Sequence, residues 1–314
     1  MPPISATPRS LSLDEDDKGN MTTASSPVVD IDNLWDFDDP EVSEARFRDA
    51  LDREIDLSRQ LELWTQVART LSLRRRFADA HNILDKIESQ WTQTSPHVRT
   101  RYYLERGRTH NSSGDKSAAK ALFLNAWTEA TTEALDALAV DAAHMLAIVA
   151  EGNDQITWNE KAMELAERST EPRARRWRGS LYNNIGWSHF AKNEYGPALN
   201  CFERVLTLRR EQGDAGLIRF ARWCVARVHR ALGRTPEALA MQNSLLEEIE
   251  KSGAAQDGFV YEELAECHLT LGQADKARLW FAKAFNALSQ DAGFVANEPM
   301  RLERMRTLGK QQTI

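Results

Sequence analysis

Apolar residues recur at helical spacing on both sides of a short polar break near the middle of the chain. The break is 192–194, and the apolar positions are Leu181, Ile185 and Phe190 before it and Leu199, Phe202, Val205 and Leu206 after it. Neither half is long enough to form a stable helix alone in water. The stretch 181–208 therefore predicts two short helices, joined by a tight turn, that pack against each other.

Small residues mark the points where these two helices would touch. Gly186 and Ala198 lie twelve residues apart, one in each helix, and Phe202 fills the space beside them. The arrangement returns at steps of 39 or 40 residues, with Ala80, Ala119, Trp158, Ala238 and Ala277 in the place of Ala198, and Ala68, Gly107, Leu146, Ala226 and Ala265 in the place of Gly186. Six such units, from about residue 61 to residue 288, cover most of the chain.

The alternation of large and small residues resembles the tetratricopeptide repeat. The positions that carry the resemblance are Tyr182, Ile185, Gly186, Ala198, Phe202 and Val205. It implies an all-α fold, a right-handed α-solenoid of about six helix pairs with a capping helix at each end. The step is longer than the usual ~34 residues, so the chain resembles the longer-repeat branch of the family. HEAT repeats have a closer period and stay an alternative, although they lack the Gly/Ala-to-Ala spacing.

The third unit departs from this pattern. Leu146 and Trp158 stand where the other units mostly have small residues. Two interpretations remain open. Either the register slips, with Ala143 or Ala147 taking the small role, or the solenoid changes curvature at this point.

Acidic charge is concentrated at the amino terminus. Residues 1–40 carry nine acids against two bases, whereas acids and bases balance in residues 41–314. The predicted organisation is a disordered acidic tail (1–33), an acidic-aromatic segment with a capping helix (34–59), the solenoid (60–290), and a carboxy-terminal capping helix with its tail (291–314). Met21 is an alternative start to Met1.

Two aromatic residues lie among acids directly before the first predicted helix. Trp35 and Phe37 precede Asp39, the predicted N-cap, and Pro40 at the first helical position. They either pack on the first helices as a hydrophobic staple, or form an acidic-aromatic ligand segment that docks elsewhere, the protein's own groove included. The capping helix itself is predicted over 41–59.

A last helix is predicted near the carboxy terminus. Asn297 is its predicted N-cap, and Gly309 is predicted to stop it. Its apolar face consists of Leu302, Met305 and Leu308.

The composition excludes several classes of protein. No run approaches 18 consecutive apolar residues, the length of a membrane-spanning helix. The first 17 residues lack the apolar core of a signal peptide and are too acidic for a transit peptide. Three cysteines far apart in sequence predict reduced thiols rather than a disulfide framework. We therefore expect a cytoplasmic protein without a membrane partner.

Candidate catalytic and metal-binding patterns are weak. The chain has no HExxH, GxSxG, CxxC or glycine-rich phosphate motif. The carboxylate pairs Glu247-Glu248 and Glu262-Glu263 are predicted on solvated helix faces. Four histidines recur on the repeat lattice, at His110, His189, His229 and His268. Successive repeats lie too far apart to share one zinc ion at ~2.0–2.1 Å, so we expect packing roles, no metal, no cofactor and no enzymatic activity.

One basic run interrupts the neutral body of the chain. Residues 172–178, PRARRWR, could contact phosphate, RNA or an acidic protein. Because the rest of the chain lacks the basic stripe that nucleic-acid binding requires, nucleic acid is a disfavoured partner.

The resemblance implies a ligand groove lined by the first helix of each pair. The corresponding residues are Arg69, Arg101, Arg108, Asn111, Asn183, Trp187, Phe190, Phe220, Trp223, Arg227, Arg230, Phe259, Glu262 and Glu266. Trp, Phe and Arg dominate binding hot spots, and aromatics edged by arginines suit a peptide with acids and an apolar anchor. In the alternative interpretation Trp187, Phe220 and Trp223 belong partly to the core and bridge adjacent repeats.

The predicted function is that of a non-enzymatic adaptor or scaffold that binds a protein or peptide in this groove. The lysine and asparagine of a chaperone-tail clamp are missing from the paired positions, so that role is disfavoured. The alternative is a regulatory sensor that binds a small molecule or a signal peptide and changes its superhelical pitch.

Overall fold

The computed structural model describes residues 30–36, 39–253 and 257–310, and their regular structure is helical throughout. The chain divides into two compact units, Pro2–Leu181 and Tyr182–Ile314. Of the predicted disordered tail 1–33, residues 1–29 lie outside the described residues, as do the alternative start and Phe37. Residues 31–33 belong to a 3₁₀ helix (Ile31–Leu34) instead of a disordered tail.

The amino-terminal unit consists of three helical hairpins behind a leading helix. The leading helix is α1 (Pro40–Arg53), and the hairpins are α2 (Leu57–Leu73) with α3 (Phe77–Glu88), α4 (Pro96–Ser113) with α5 (Lys116–Thr132), and α6 (Asp136–Val149) with α7 (Asn153–Arg168). Two 3₁₀ helices (Ile31–Leu34 and Trp91–Gln93) and the short α8 (Pro172–Arg176) complete the unit. Helices α2 and α4 also pack on each other. We call the surface formed by the first helices of the hairpins the first-helix surface.

The carboxy-terminal unit has the same plan. Helix α9 (Arg178–Ala191) leads into it and is followed by α10 (Tyr195–Gln212), α11 (Ala215–Ala231), α12 (Thr235–Ser252), α13 (Gly258–Thr270), α14 (Ala274–Leu288), α15 (Ala292–Asn297) and α16 (Pro299–Gly309). The hairpins α11/α12 and α13/α14 are closely packed, and α16 lies against α14. The all-α fold of helix pairs agrees with the prediction. No helix in 30–36, 39–253 or 257–310 is long and apolar enough to cross a bilayer.

The predicted small residues lie where the helices of a pair touch. A Cβ atom added at Gly107 would lie 2.5 Å from Cε1 of Phe123, and one added at Gly186 would lie 2.9 Å from Cε1 of Phe202. Both phenylalanine rings are fully buried. The spacing of glycine and phenylalanine in the sequence is therefore confirmed as a packing contact.

The turn inside five of the hairpins has one conformation. The residue two before the second helix has a φ between 59° and 100°, at Arg75, Gly114, Asn193, Gly233 and Gly272. The residue that follows it donates its backbone N–H to the carbonyl oxygen five residues earlier, over 2.9–3.0 Å. This is the hydrogen bond of the helix C-terminal motif that requires a residue in the left-handed conformation. The accepting carbonyls are those of Leu71, His110, His189, His229 and His268.

The third hairpin slips in register. Ala198 and its counterparts are each the fourth residue of their helix, whereas Trp158 is the sixth residue of α7. The left-handed residue, Gly152, directly precedes α7 and has a ψ of −129°. Trp158 is only half-buried, and its ring packs edge-on against Trp127 at 5.6 Å. Ala143 and Ala147 are both buried along α6, as the slipped register requires.

The predicted leading helix 41–59 is wrong in its last residues. Helix α1 ends at Arg53 because the chain becomes extended at Glu54. Asp56 then caps α2, where its side chain accepts a hydrogen bond from the N–H of Arg59 at 2.8 Å. A single aspartate thus separates two helices that their apolar pattern alone would join.

The last helix also differs from its prediction. Asn297 ends α15 instead of capping the last helix, and Pro299 is the first residue of α16. Met305 is fully buried, as its apolar face predicts. Gly309 is the last residue of α16, where the helix is predicted to stop. A Cβ at this position would come within 2.7 Å of the backbone nitrogen of Ala282, so close packing also favours glycine here.

Replacing Ala134 by glycine is expected to stabilise the amino-terminal unit. Ala134 is exposed and has a φ of 54°, a left-handed conformation that costs a non-glycine residue about 1–2 kcal/mol. Glycine also raises the entropy of the unfolded chain, which offsets part of this relief. We therefore expect the free energy of unfolding, measured by urea denaturation, to rise by about 0.5–1 kcal/mol. Ala121→Gly, at an exposed site inside α5, is the control and should cost about 1 kcal/mol. Destabilisation by both changes would contradict the strain at Ala134.

Candidate functional site

A row of aromatic rings crosses the first-helix surface of the carboxy-terminal unit. Trp223 of α11 lies 5.9 Å, centroid to centroid, from each of Trp187, Phe220 and Phe259. Trp223 is 7% exposed, and its indole N–H donates to the carbonyl oxygen of Phe259 at 3.1 Å. It bridges two neighbouring hairpins from within the core. Phe220, stacked on Trp223, is 41% exposed.

One arginine covers the buried side of this row. The guanidinium carbon of Arg227 lies 5.3 Å from the ring centre of Trp223, 5.8 Å from that of Phe190 and 5.9 Å from that of Trp187. Such contacts hold a cation by the negative faces of the rings. Arg227 therefore fixes the aromatic row and is largely enclosed by it.

A buried carboxylate pairs with both this arginine and its neighbour Arg230. Glu263 is 1% exposed, accepts two hydrogen bonds from Arg230 at 2.8 and 2.9 Å, and lies 3.1 Å from Nη1 of Arg227. Burial alone would raise the pKa of Glu263, but Arg227 and Arg230 outweigh it and lower that pKa. The prediction that Glu262 and Glu263 are solvated is wrong, since both are buried. The sequence pattern did not show that arginines of neighbouring elements meet them.

The carboxy-terminal helices engage the remaining predicted residues on α13. Arg301 of α16 donates to both carboxylate oxygens of Glu262, and Arg304 pairs with Glu266. The ring of Phe259 lies 5.6 Å from that of Phe294. These three predicted groove positions are thus in contact with the protein's own end.

One predicted residue on α9 holds an unpaired polar atom. Oδ1 of Asn183 is buried and has no hydrogen-bond partner. A buried acceptor of this kind costs free energy unless a partner reaches it. Asn183 therefore presents an unsatisfied acceptor within α9.

The predicted residues of the amino-terminal unit form ion pairs instead of an aromatic row. Nε of Arg101 lies 2.9 Å from Glu62, and Arg69 lies 3.7 Å from Glu105. The next pairs are Arg108 with Glu105 at 2.6 Å and Arg108 with Asp141 at 2.5 Å. Asn111 is half-buried near the end of α4. Three of these four pairs join successive first helices and hold neighbouring hairpins in register, whereas the pair of Arg108 and Glu105 lies within α4.

The acidic segment at the amino terminus lies on this unit. Trp35 donates its indole N–H to Oε1 of Gln66 at 3.2 Å, stands edge-on to Phe47 at 5.1 Å, and is covered by Arg69 at 5.1 Å. Arg173, in the basic run, binds Asp32 and Asp30 across more than 140 residues. This pairing was not predicted from the sequence. The opposite charges of the acidic amino terminus and the basic run 172–178 were the signal from which it could have been inferred.

The four lattice histidines lie at the turns of the hairpins. Besides the backbone bond described above, Nδ1 of His268 lies 2.8 Å from Oε1 of Gln273, and Nδ1 of His189 lies 2.5 Å from Oε2 of Glu194. Each partner is the residue just before the second helix. The repeated histidines are therefore explained by turn geometry. Among the described residues no group of three His, Cys, Asp or Glu side chains has the geometry of a metal site.

The paired helices and their first-helix surfaces define an α-helical repeat protein. A family model described as "Tetratricopeptide repeat" matches residues 178–211, the pair whose pattern is clearest in the sequence. The other helix pairs share the fold of this pair, which is similar to a tetratricopeptide repeat.

Solved structures share this fold at low sequence identity. The apo form of RapI is 14% identical, with a TM-score of 0.64 over 84% of this chain and 79% of that one. The apo quorum sensor NprR from B. thuringiensis is 17% identical, with a TM-score of 0.61 over 87% and 77%. NprR in complex with its cognate peptide NprX is 17% identical, with a TM-score of 0.53 over 87% and 84%. No curated protein matches the chain in sequence.

Proposed function

We propose that this protein is a non-enzymatic binding protein that holds a peptide segment of a protein partner on the first-helix surface of the unit 182–314. The observation that carries the proposal is the exposed ring of Phe220 on the buried, hydrogen-bonded Trp223. An aromatic side chain held rigid by its support loses little entropy on binding, and such residues dominate binding energy.

Charge on this surface favours an acidic ligand. Arg227 and Arg230 share the single carboxylate of Glu263, so the cluster keeps one uncompensated positive charge. Nε of Arg227 is buried without a hydrogen-bond partner. A carboxylate on the ligand would meet this charge while an apolar side chain rests on Phe220.

The peptide backbone has its own partner on this surface. A backbone N–H of the ligand would satisfy the buried Oδ1 of Asn183, and main-chain hydrogen bonds of this kind bind peptides without regard to their side chains. The proposed ligand is thus an extended or helical peptide with an apolar anchor and at least one acid. A cytoplasmic location remains a prediction.

A regulatory sensor of a small molecule or a signal peptide is the second candidate. NprR, which shares the fold, has been solved with its cognate peptide NprX, and the same surface would hold a short free peptide. A sensor has a defined small ligand that raises the melting temperature of the protein, since it binds only the folded state. An adaptor binds a segment within a larger partner.

Replacing Phe220 by glutamate is expected to weaken peptide binding at least about tenfold. Phe220 is exposed, so the change removes the anchor without opening the core, whereas Trp223 is buried and Arg227 is paired with a buried carboxylate. Peptides selected from a displayed random library on the immobilised full chain would be labelled, and their affinities measured by fluorescence anisotropy.

Leu279→Glu is the matched control for this experiment. Leu279 is a large exposed apolar residue on α14, a second helix of the same unit. Its variant should bind the selected peptides as tightly as the wild type, and both variants should keep the wild-type melting temperature. If the Phe220→Glu variant binds the selected peptides as tightly as the wild type does, the binding site does not lie on this surface. A library that yields no peptide, together with stabilisation by a small molecule, would favour the sensor.

A further inference from the structure

The acidic segment 30–36 contacts the amino-terminal unit through two aspartates. Nε of Arg173 donates to Oδ2 of Asp32 at 2.8 Å, and Nη2 donates to Oδ1 of Asp30 at 2.8 Å. Arg173 stands at the start of α8, far along the chain from the segment. One guanidinium thus binds two carboxylates that lie two residues apart.

Apolar anchors and hydrogen bonds fix the rest of the segment. Ile31 is 2% exposed and belongs to the core of the unit. Trp35 lies on α2, bonded to Gln66 and covered by Arg69. The segment therefore contacts the first-helix surface in the manner of a bound peptide, with side-chain anchors and charges at fixed spacing.

Basic groups lie beneath the acidic segment. Glu62 is the centre of a basic cluster in which Arg59 lies 2.6 Å and Arg101 lies 2.9 Å from its carboxylate. His97 lies 3.4 Å from the same carboxylate. The two aspartates of the segment add negative charge on this unit by pairing with Arg173.

We propose that residues 30–35 are an internal pseudo-ligand, and that the surface beneath them is a binding site for a partner peptide with two acids two residues apart and an aromatic residue three further on. This inference rests on the proposed function, because it assumes that first-helix surfaces of this protein bind peptides. It concerns a different surface, in the unit 2–181. It also specifies the chemistry of the ligand and identifies the segment 30–35 as a competitor within the chain.

The exposure of the ion pairs makes the segment displaceable. The side chains of Arg173, Asp30 and Asp32 are 35%, 51% and 34% exposed, and each exposed ion pair strengthens an interaction by at most about fivefold. A tethered segment nevertheless competes at an effective concentration in the mM range. A partner peptide binds when it matches the pattern and has additional contacts, or when the internal segment is weakened.

A labelled synthetic peptide of residues 29–36 tests the proposal on the full chain. The variant Asp30→Asn/Asp32→Asn, which weakens the internal segment, is expected to bind the peptide more tightly than the wild type, by up to about thirtyfold. Adding Arg173→Glu to this variant should abolish the binding. A peptide with lysine at both aspartate positions should bind the Arg173→Glu chain and restore the interaction with opposite charges. Fluorescence anisotropy gives all affinities.

Arg175→Glu is the matched control in the basic run, since Arg175 is exposed on the same short helix. Added to the Asp30→Asn/Asp32→Asn variant, it should change the affinity far less than Arg173→Glu does. Melting temperatures identify any variant that fails to fold, in which case Asp30→Asn alone replaces the double change. If the peptide binds none of the chains, the segment is a fixed structural cap and the proposal is wrong.

Two further outcomes would also overturn it. Equal binding of a scrambled peptide would show that charge alone is recognised, and binding insensitive to Arg173→Glu would place the site elsewhere. Phe220→Glu should leave this peptide's affinity unchanged, because Phe220 belongs to the other unit. If the library selection for the surface of the unit 182–314 yields no peptide, the present test is unaffected. Either proposal can therefore be wrong while the other is right.

Discussion

Glu263→Gln is expected to lower the free energy of unfolding by about 3–5 kcal/mol, the usual cost of breaking a buried ion pair on one side. The substitution keeps the shape of the side chain but removes the charge that neutralises Arg227 and Arg230. Both arginines would then lie largely enclosed without a counter-charge. Urea denaturation followed by circular dichroism should show a lower midpoint with an unchanged slope.

The matched control is Glu248→Gln, which also removes a carboxylate shared by two arginines. Glu248 pairs with Arg219 and Arg222, but its side chain is 40% exposed. We expect a loss of at most about 1 kcal/mol. Equal effects at the two sites would show that burial does not set the cost.

The pH dependence of the Glu263 variant has a defined sign. The folded-state pKa of Glu263 lies below its ordinary 4.5, because its arginine partners outweigh the effect of burial. Its contribution to stability is therefore complete above the unfolded-state pKa and is lost as the pH falls toward the folded-state value. The difference between wild type and variant should shrink on acidification below about pH 4.5, and a constant difference would contradict this.

Gly107→Ala is expected to destabilise the amino-terminal unit by about 1–3 kcal/mol, the usual cost of overpacking a core. The added methyl group would lie 2.5 Å from the ring of Phe123, which is fully buried and cannot move aside. Alanine is the better helix former, so the clash must exceed a gain of up to about 1 kcal/mol. Thermal unfolding measures the net effect.

Gly196→Ala supplies a control of opposite sign. Gly196 lies in the first turn of α10, and a Cβ there would meet no atom within 4 Å. Only the helix propensity changes, so we expect a gain of up to about 1 kcal/mol. Stabilisation by both substitutions would mean that the contact between Gly107 and Phe123 is looser than the structure shows.

The repeat plan could be predicted because it is written in local, periodic features. Two local features recur once in each repeat. One is a glycine or alanine opposite a phenylalanine, and the other is a residue in the left-handed conformation before the second helix. In the third hairpin the sequence left two interpretations open, because α7 begins two residues earlier relative to the repeat and Trp158 is thereby moved out of the contact position. A register slip of this size does not alter the apolar period.

The charges of the candidate site could not be predicted. Glu263 has the same sequence surroundings as a solvated carboxylate, and its burial follows from Arg227 and Arg230 on the preceding first helix. Likewise, Asp32 and Arg173 meet only because the chain folds back over a distance of 141 residues. Helical periodicity describes which face of a helix is buried, and it carries no information on which charge of another helix lies opposite.

The ion pairs between neighbouring repeats span somewhat less than one repeat or one whole repeat. Arg108 meets Asp141 and Arg230 meets Glu263 across 33 residues, whereas Glu262 meets Arg301 across 39. Each of these carboxylates is buried or nearly buried and depends on an arginine in the adjacent repeat. A deletion that removes only the helix carrying the arginine would therefore leave a buried carboxylate unmatched, so that the repeats at either side of such a deletion are tied together by charge as well as by apolar packing.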